Sequence, residues 1–349
     1  MKTKKRLIEK VVATVLSVIL CTVAFAGCSK KIYITSGLSD NEVFKVGGQS
    51  CSVGQMNIIL LSQKQEYESV FDENVWTELS KNASLEEKVK EQTLENMMSL
   101  YCIKAMAKND GIELNLDENN KVRQAAETYF NSLSASTVET LKITLEDVTK
   151  LYTDFMIAIK LYNSYTSGVQ VEISDSTARV IKVQSIFLKT YEIDENKEKV
   201  SYNEEKIKEV RTTAHEILMK INEGNDFSTL AARYSDDENI QYIFGRGEMI
   251  EAYENAAFEL TTGQVSSILE TEDGFYIIKC LSDYLEVETA KNKEDIVDAY
   301  KRDAFMEKFK PFKKTLLQQV NNSLWASFTM DVKDVDISGF YETFFDITE

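Results

Sequence analysis

Val180-Ile181-Lys182-Val183-Gln184-Ser185-Ile186-Phe187-Leu188 opens the stretch on which the reading of this chain turns, because its apolar density suits a strand. A helix follows: Ile207, Val210, Ala214, Ile217, Leu218 and Ile221 recur at helical spacing, and the pattern stops at Gly224. Asp226 is placed to cap the short helix Phe227-Ser228-Thr229-Leu230-Ala231-Ala232-Arg233-Tyr234, its carboxylate accepting from the first free amides. Phe244-Gly245-Arg246-Gly247-Glu248-Met249 comes next, then a helix at Tyr253-Glu254-Asn255-Ala256-Ala257-Phe258. Asp273-Gly274, set between two apolar runs, is a hairpin signal. Residues 180 to 284 therefore read as one small domain of mixed helix and strand.

The order of these pieces resembles the parvulin family of peptidyl-prolyl isomerases. Gly224 to Ser235 is similar to the family's Gly-x-Asp-Phe-x-x-Leu-Ala-x-x-Tyr-Ser, and Phe244 to Phe258 follows its Phe-Gly-x-Gly-x-Met and Phe-x-x-Ala-Ala-Phe pattern. Leu260-Thr261-Thr262-Gly263-Gln264-Val265-Ser266 and Gly274-Phe275-Tyr276-Ile277-Ile278-Lys279 complete the likeness. The resemblance implies a small antiparallel sheet flanked by helices, with a site for an X-Pro bond. It implies that Ser185, Asp237 and Tyr276 form the hydrogen-bonded floor of that site, and that Gln241, Phe244, Met249 and Tyr253 meet the substrate. Ser185 and Tyr276 stand where active parvulins carry histidines, and Asn239-Ile240-Gln241-Tyr242-Ile243 replaces a Gly-rich run on a shorter loop. Prolyl isomerisation needs no covalent step, since the barrier of about 18–20 kcal/mol is amide resonance, lowered by binding the twisted bond in a dry pocket. No cofactor is implied. A competing reading makes Met249, Phe244 and Phe258 plain core residues of a domain kept for binding alone.

The N-terminus is a separate element. Lys2, Lys4, Lys5, Arg6 and Lys10 make a basic region, Val11 to Ala24 an apolar one short for a bilayer, and Ala24-Phe25-Ala26-Gly27 a small-residue cleavage site before Cys28. This resembles a bacterial lipoprotein signal, which implies a lipid on Cys28 and attachment to the outer face of the cell membrane. The rival is an uncleaved anchor helix. Loss of residues 1–27 removes five basic residues and one acidic, leaving 35 Lys+Arg against 56 Asp+Glu and a net charge of −21. Such a surface repels polyanions, so no nucleic acid is expected as a partner.

Cys51, Cys102 and Cys280 lack metal-type spacing, and three buried thiols are expected, with a Cys51–Cys102 disulfide as the alternative. The single histidine, His215, cannot assemble a zinc site or a Ser-His-Asp triad in the usual way, and it reads as a surface helix residue; no metal site is expected.

Residues 28–41 are polar and aperiodic and read as a tether. Val43 to Cys51 resembles a short hairpin, and Ser52-Val53-Gly54-Gln55 is a capping box opening a helix to about Ser69. Ser84-Leu85-Glu86-Glu87 is a second box, opening a helix with Val89, Met97, Met98, Tyr101 and Met106 on one face. Asp117 is expected to cap a third helix through Leu133, and Leu145 to Thr166 is expected to be the longest. The Met and aromatic stripe reads as core, with a client-binding cradle as the alternative. Lys293 to Val320 reads as a helix that Pro311 kinks or breaks, and Trp325 to Ile337 as a strand pairing with the Val43 hairpin.

The expected architecture is α+β: signal 1–27, tether 28–41, a helical domain over 42–170, the parvulin-like domain at 176–286, and a C-terminal helix and strand at 287–349 returning to the helical part. That order is similar to the PrsA and SurA foldases. The implied function is a membrane-anchored extracytoplasmic foldase for unfolded or newly translocated polypeptides. A holdase without isomerase activity and an envelope scaffold or ligand-binding lipoprotein are the alternatives. The helical half is also a candidate homodimer surface.

Overall fold

A computed structural model of the chain describes residues 37–71, 76 and 85–348. The basic and apolar leader, Cys28, most of the tether and the box residue Ser84 lie outside the described residues. The chain divides into two compact units, one running to Gln170 and taken up again at Lys301–Glu349, the other Val171–Tyr300.

The first unit begins with the hairpin β1 (Glu42–Val46) and β2 (Gln49–Ser52). Its helices are α1 (Val53–Phe71), α2 (Leu85–Asn109), α3 (Leu116–Ser132), α4 (Ala135–Leu141) and α5 (Leu145–Thr166). The box at α1 is complete: the Ser52 hydroxyl accepts from the Gln55 amide at 3.1 Å and the Gln55 side chain accepts from the Ser52 amide at 3.0 Å. At α3 the cap is Asn115, not Asp117. Its side chain accepts from the Glu118 amide at 2.9 Å while the Glu118 carboxylate takes the Asn115 amide at 2.7 Å, so the reciprocal pair fixes the helix start two residues earlier. Met97, Met98, Tyr101 and Met106 are all buried in this unit's core, which removes the client-cradle reading.

The second unit opens with the turn helix α6 (Asp175–Ala178) and β3 (Ile181–Lys189), then the hairpin β4 (Tyr191–Ile193) and β5 (Lys199–Ser201). It continues through α7 (Glu204–Asn222), α8 (Phe227–Tyr234), β6 (Gln241–Phe244), α9 (Glu251–Phe258), β7 (Leu269–Thr271) and β8 (Gly274–Ser282). Four strands form an antiparallel sheet in the order β6-β3-β8-β7. Side chains alternate across a strand. Ile186, Leu188, Phe275 and Ile277 therefore face α7 and α8, packing with Ile217, Phe227 and Leu230. Ile181, Val183, Phe244 and Ile278 face the other way, packing with Tyr253, Ala257 and Phe258 of α9. Asp226 caps α8, accepting from the Thr229 amide at 2.7 Å. Gly274 has φ +149°, and a Cβ there would sit 2.1 Å from the Leu188 carbonyl oxygen, so β8 can reach β3 only without a side chain.

The next helix, α10 (Glu286–Thr315), runs unbroken through Pro311, so the proline divides nothing; the boundary between units falls within it. α10, at 30 residues, and α2, at 25, are both longer than α5, at 22. After it come β9 (Gln318–Val320), α11 (Asn322–Ala326) and α12 (Phe340–Thr348). The strand that joins the hairpin is β9, with Phe44 opposite Val320 and Val46 opposite Gln318. The expected strand at Trp325 to Ile337 does not form. Trp325 belongs to α11, Asp334 takes a left-handed φ of 60°, and the backbone there is held by α2 side chains: Lys90 donates to the Phe328 carbonyl and the Met330 amide donates to Glu86 at 3.0 Å. α12 docks by its aromatics. Phe340 stacks on Tyr152 at 4.9 Å, and the Tyr152 hydroxyl donates to the Phe340 carbonyl at 2.6 Å. Cys51, Cys102 and Cys280 are buried free thiols. His215 is exposed on α7.

Candidate functional site

The sheet face that carries α9 gathers most of the expected site. Ser185 on β3 is opposite Ile278 of β8, and Phe187 is opposite Tyr276, so Ser185, Phe187 and Tyr276 share one face. Phe187 and Tyr276 stack with ring centroids 4.5 Å apart. Tyr253 of α9 meets Tyr276 edge-on at 5.1 Å. Phe244 is buried beneath, 5.9 Å from Tyr253, and Met249 is half-buried against the same cluster.

Met249 is aimed by the loop that precedes it. The Gly245 amide donates to Glu248 at 2.9 Å and the Gly247 amide to the buried Glu254 at 2.6 Å. Gly247 sits at φ +85°, and a Cβ on Gly245 would fall 2.8 Å from the Asn292 side chain. Gly247 is thus favoured by its left-handed backbone, and a side chain on Gly245 would have to displace the Asn292 amide. Arg246 between them lies over the Phe258 ring at 4.0 Å and reaches Glu254 at 3.5 Å.

Asp237 is held on a loop stitched to β3. The Asp236 amide donates to the Phe187 carbonyl at 2.8 Å, the Phe187 amide to the Ser235 hydroxyl at 3.1 Å, and the Ser185 amide to the Ile240 carbonyl at 3.0 Å. The Tyr242 hydroxyl donates to the Asn239 carbonyl at 2.5 Å and lies 3.3 Å from the Asp237 carboxylate. Asp237 is half-buried. Burial raises its pKa and the neighbouring Asp236 adds to the rise, while the Tyr242 bond opposes it.

Gln241 does not belong with these residues. It is opposite Gln184, whose side chain accepts from Ser228 of α8, so it lies across the sheet from Tyr276 and Tyr253 and is exposed. Tyr242, opposite Val183, takes the place expected of Gln241. Alternation along β6 from the buried Phe244 was the sequence signal for this, and it favours Tyr242 over Gln241 by one residue. Phe187, read only as strand, is the other residue of the site that motif matching passed over.

Two hydroxyls on this face are unusual. Ser185 is 1% exposed and Tyr253 5% exposed. They lie close enough for the serine to favour the phenolate slightly, yet neither makes a hydrogen bond of good geometry to a protein atom. Burial pushes the Tyr253 hydroxyl up to about 12 and does the same to Tyr242, with the Asp237 charge adding to both. Tyr276 is raised further, by burial first and then by Asp237. All three tyrosines are therefore neutral hydrogen-bond donors at neutral pH. The face offers aromatic surface, a thioether and buried donors, a set suited to binding an amide in an apolar setting. Among the described residues no group of three or more His, Cys, Asp or Glu could hold a metal ion.

Residues 186–282 match the family model of the PPIC-type peptidyl-prolyl isomerase (rotamase) domain, and residues 1–130 match that of the SurA-like N-terminal domain. The foldase protein PrsA of Caldanaerobacter subterraneus subsp. tengcongensis is 26% identical over 280 residues, covering 77% of this chain and 81% of that protein. The foldase protein PrsA of Geobacillus kaustophilus is 30% identical over 168 residues, 46% of this chain and 57% of that protein. A solved structure of the peptidylprolyl isomerase PrsA from Bacillus cereus aligns over 76% of this chain and 96% of its own, with 20% identity and a TM-score of 0.35. The chain thus carries a match to a PPIC-type rotamase domain after a match to a SurA-like N-terminal domain, and it is similar to the PrsA foldases.

Proposed function

We propose that this chain is an extracytoplasmic foldase, tethered to the membrane through a lipid on Cys28, that binds unfolded segments of translocated proteins at X-Pro bonds. Similarity to the PrsA foldases supports the foldase part, and the acidic mature chain is consistent with a surface that leaves anchoring to the lipid. The observation that carries the reading is the pair of orphan hydroxyls, Ser185 and Tyr253, beside Tyr276 and Met249 on one face of the sheet. Ser185 and Tyr253 lie close enough to act on each other, and both are neutral donors that an amide entering this aromatic face would meet.

On such a face a proline ring would rest on Tyr253 and Met249 while a hydroxyl donates to the flanking amide. Isomerisation is then accelerated only as far as the twisted amide is bound better than the planar one. The replacement of both family histidines by Ser185 and Tyr276 supports a second reading, a holdase that binds without turnover.

Exchange spectroscopy on a proline tetrapeptide separates the two: isomerisation faster than the blank supports the foldase with activity, and a rate equal to the blank leaves the holdase. Suppression of aggregation of reduced, unfolded α-lactalbumin tests both. If that client aggregates equally with and without the protein, neither reading stands. Cys28→Ala is expected to release the chain from the membrane fraction, and retention there would overturn the lipid anchor.

A further inference from the structure

Met249 and Tyr253, the two residues on which a proline ring would rest, come from different elements. Met249 ends the loop between β6 and α9, and Tyr253 stands in the first turn of α9. The helix has no ordinary cap: its N-cap is Ile250, and no side chain there bonds the first free amides. A carboxylate from within α9 reaches back to the loop in its place. Glu254, the residue after Tyr253, is buried, and one of its oxygens accepts from the Gly247 amide at 2.6 Å. A short bond from an amide to a buried carboxylate is among the stronger kinds.

The other contacts of the loop are weaker. Arg246 lies 3.5 Å from Glu254, but its side chain is 41% exposed and is also engaged with the Phe258 ring at 4.0 Å and with Asn255 at 3.3 Å. Glu248 accepts from the Gly245 amide at 2.9 Å and is exposed, so water competes for it. Gly247 turns at φ +85°, two residues before Met249, and that turn is the point Glu254 holds. One carboxylate therefore ties the element that carries Met249 to the element that carries Tyr253.

We propose that Glu254 is a positioning residue of the prolyl-binding site, which sets Met249 against Tyr253 by holding the Gly247 amide. The proposal rests on the prolyl-binding reading above and deepens it. A binding wall made by two side chains is only as precise as the bonds that fix their backbones, and this bond is the one that spans both.

The test combines fluorescence-anisotropy binding of labelled Ala-Leu-Pro-Leu-Ala to the purified full chain with the carbon-13 methyl resonance of Met249, assigned by its loss in Met249→Leu. Ala-Leu-Ala-Leu-Ala is the proline-free control. Glu254→Met, of similar length but without a carbonyl oxygen, is expected to weaken the proline peptide about tenfold and to move the Met249 methyl resonance toward that of free methionine. Glu254→Ala is read the same way, so the test does not hang on one replacement folding. Glu254→Gln, whose amide oxygen still accepts from Gly247, should stay within about twofold of wild type and keep the resonance. Leu230→Ala, in the apolar layer under α8, should lower stability by urea unfolding and leave both readouts unchanged.

Affinity that falls with stability in Glu254→Met and Leu230→Ala alike overturns the proposal, since Glu254 would then serve only the fold. A Met249 resonance unmoved in Glu254→Met and Glu254→Ala overturns it, and so does a glutamine variant as weak as the methionine one. If the wild-type chain binds the proline peptide no better than the proline-free control, the prolyl-binding reading fails and the positioning role falls with it.

Discussion

The two faces of the four-stranded sheet are built from the same strands and finished differently. Toward α7 and α8, Ile186, Leu188, Phe275 and Ile277 meet Ile217, Phe227 and Leu230 in an apolar layer beside the buried Gln184, which accepts from Ser228. Toward α9, the intervening residues Ser185, Phe187, Tyr276 and Ile278 meet Tyr253 and Met249, and hydroxyls are left without partners. The α9 side is richer in hydroxyls, with those of Ser185 and Tyr253 both buried there. In the first unit the buried Tyr129 and Tyr152 hydroxyls donate to the Ile337 and Phe340 carbonyls at 2.9 and 2.6 Å, while the buried Ser62 hydroxyl has no partner.

The comparison can be broken most directly on the closed side. Phe227→Ala should destabilise the protein by about 4 kcal/mol through lost burial and a residual cavity, read by urea unfolding. A loss under half of that would mean the α8 face is not the core it is taken for. On the other side the sign should reverse: Tyr253→Phe is expected to raise stability by about 1 kcal/mol by removing an unsatisfied buried hydroxyl, while weakening proline-peptide binding. A destabilised Tyr253→Phe would show that the hydroxyl serves the fold.

A smaller effect is expected from Asp237, and it depends on pH. Its folded pKa is raised, so between the unfolded aspartate value and the folded one the native state holds more protons than the unfolded chain, and stability falls as pH rises through that window. Asp237→Asn should therefore gain stability over wild type near neutrality and match it at pH 3, as melting temperatures at the two pH values would report. The smallest effect belongs to Gln241→Ala. Its side chain is exposed across the sheet from Tyr276, so stability should change by less than about 0.5 kcal/mol and peptide binding not at all. Any loss of binding there would put the substrate on the wrong face.

Much of the fold was legible in the sequence because its signals are local. Asp226 caps α8, Ser52 and Gln55 form their box, and Leu145–Thr166 is helical at both expected ends, since each depends on residues within a turn or two. The motif order likewise identified the parvulin-type domain. The site was only partly legible. Ser185, Tyr276, Tyr253, Phe244 and Met249 lie on one face of the sheet, but Gln241 falls one residue out of register with them, and Tyr242 and Phe187 were not singled out.

What the sequence determined by itself was most of the elements and the likeness to a parvulin-type domain, because caps, glycine turns and helical periods are written in neighbouring residues. What only the tertiary structure decided was non-local. Gln318–Val320, not 325–337, joins the hairpin because Val320 has Phe44 to pair with and the later segment has α2 side chains to satisfy its backbone. The finished and unfinished faces of one sheet were decided the same way: which hydroxyls stay without a partner depends on residues tens of positions away, and no local pattern records that.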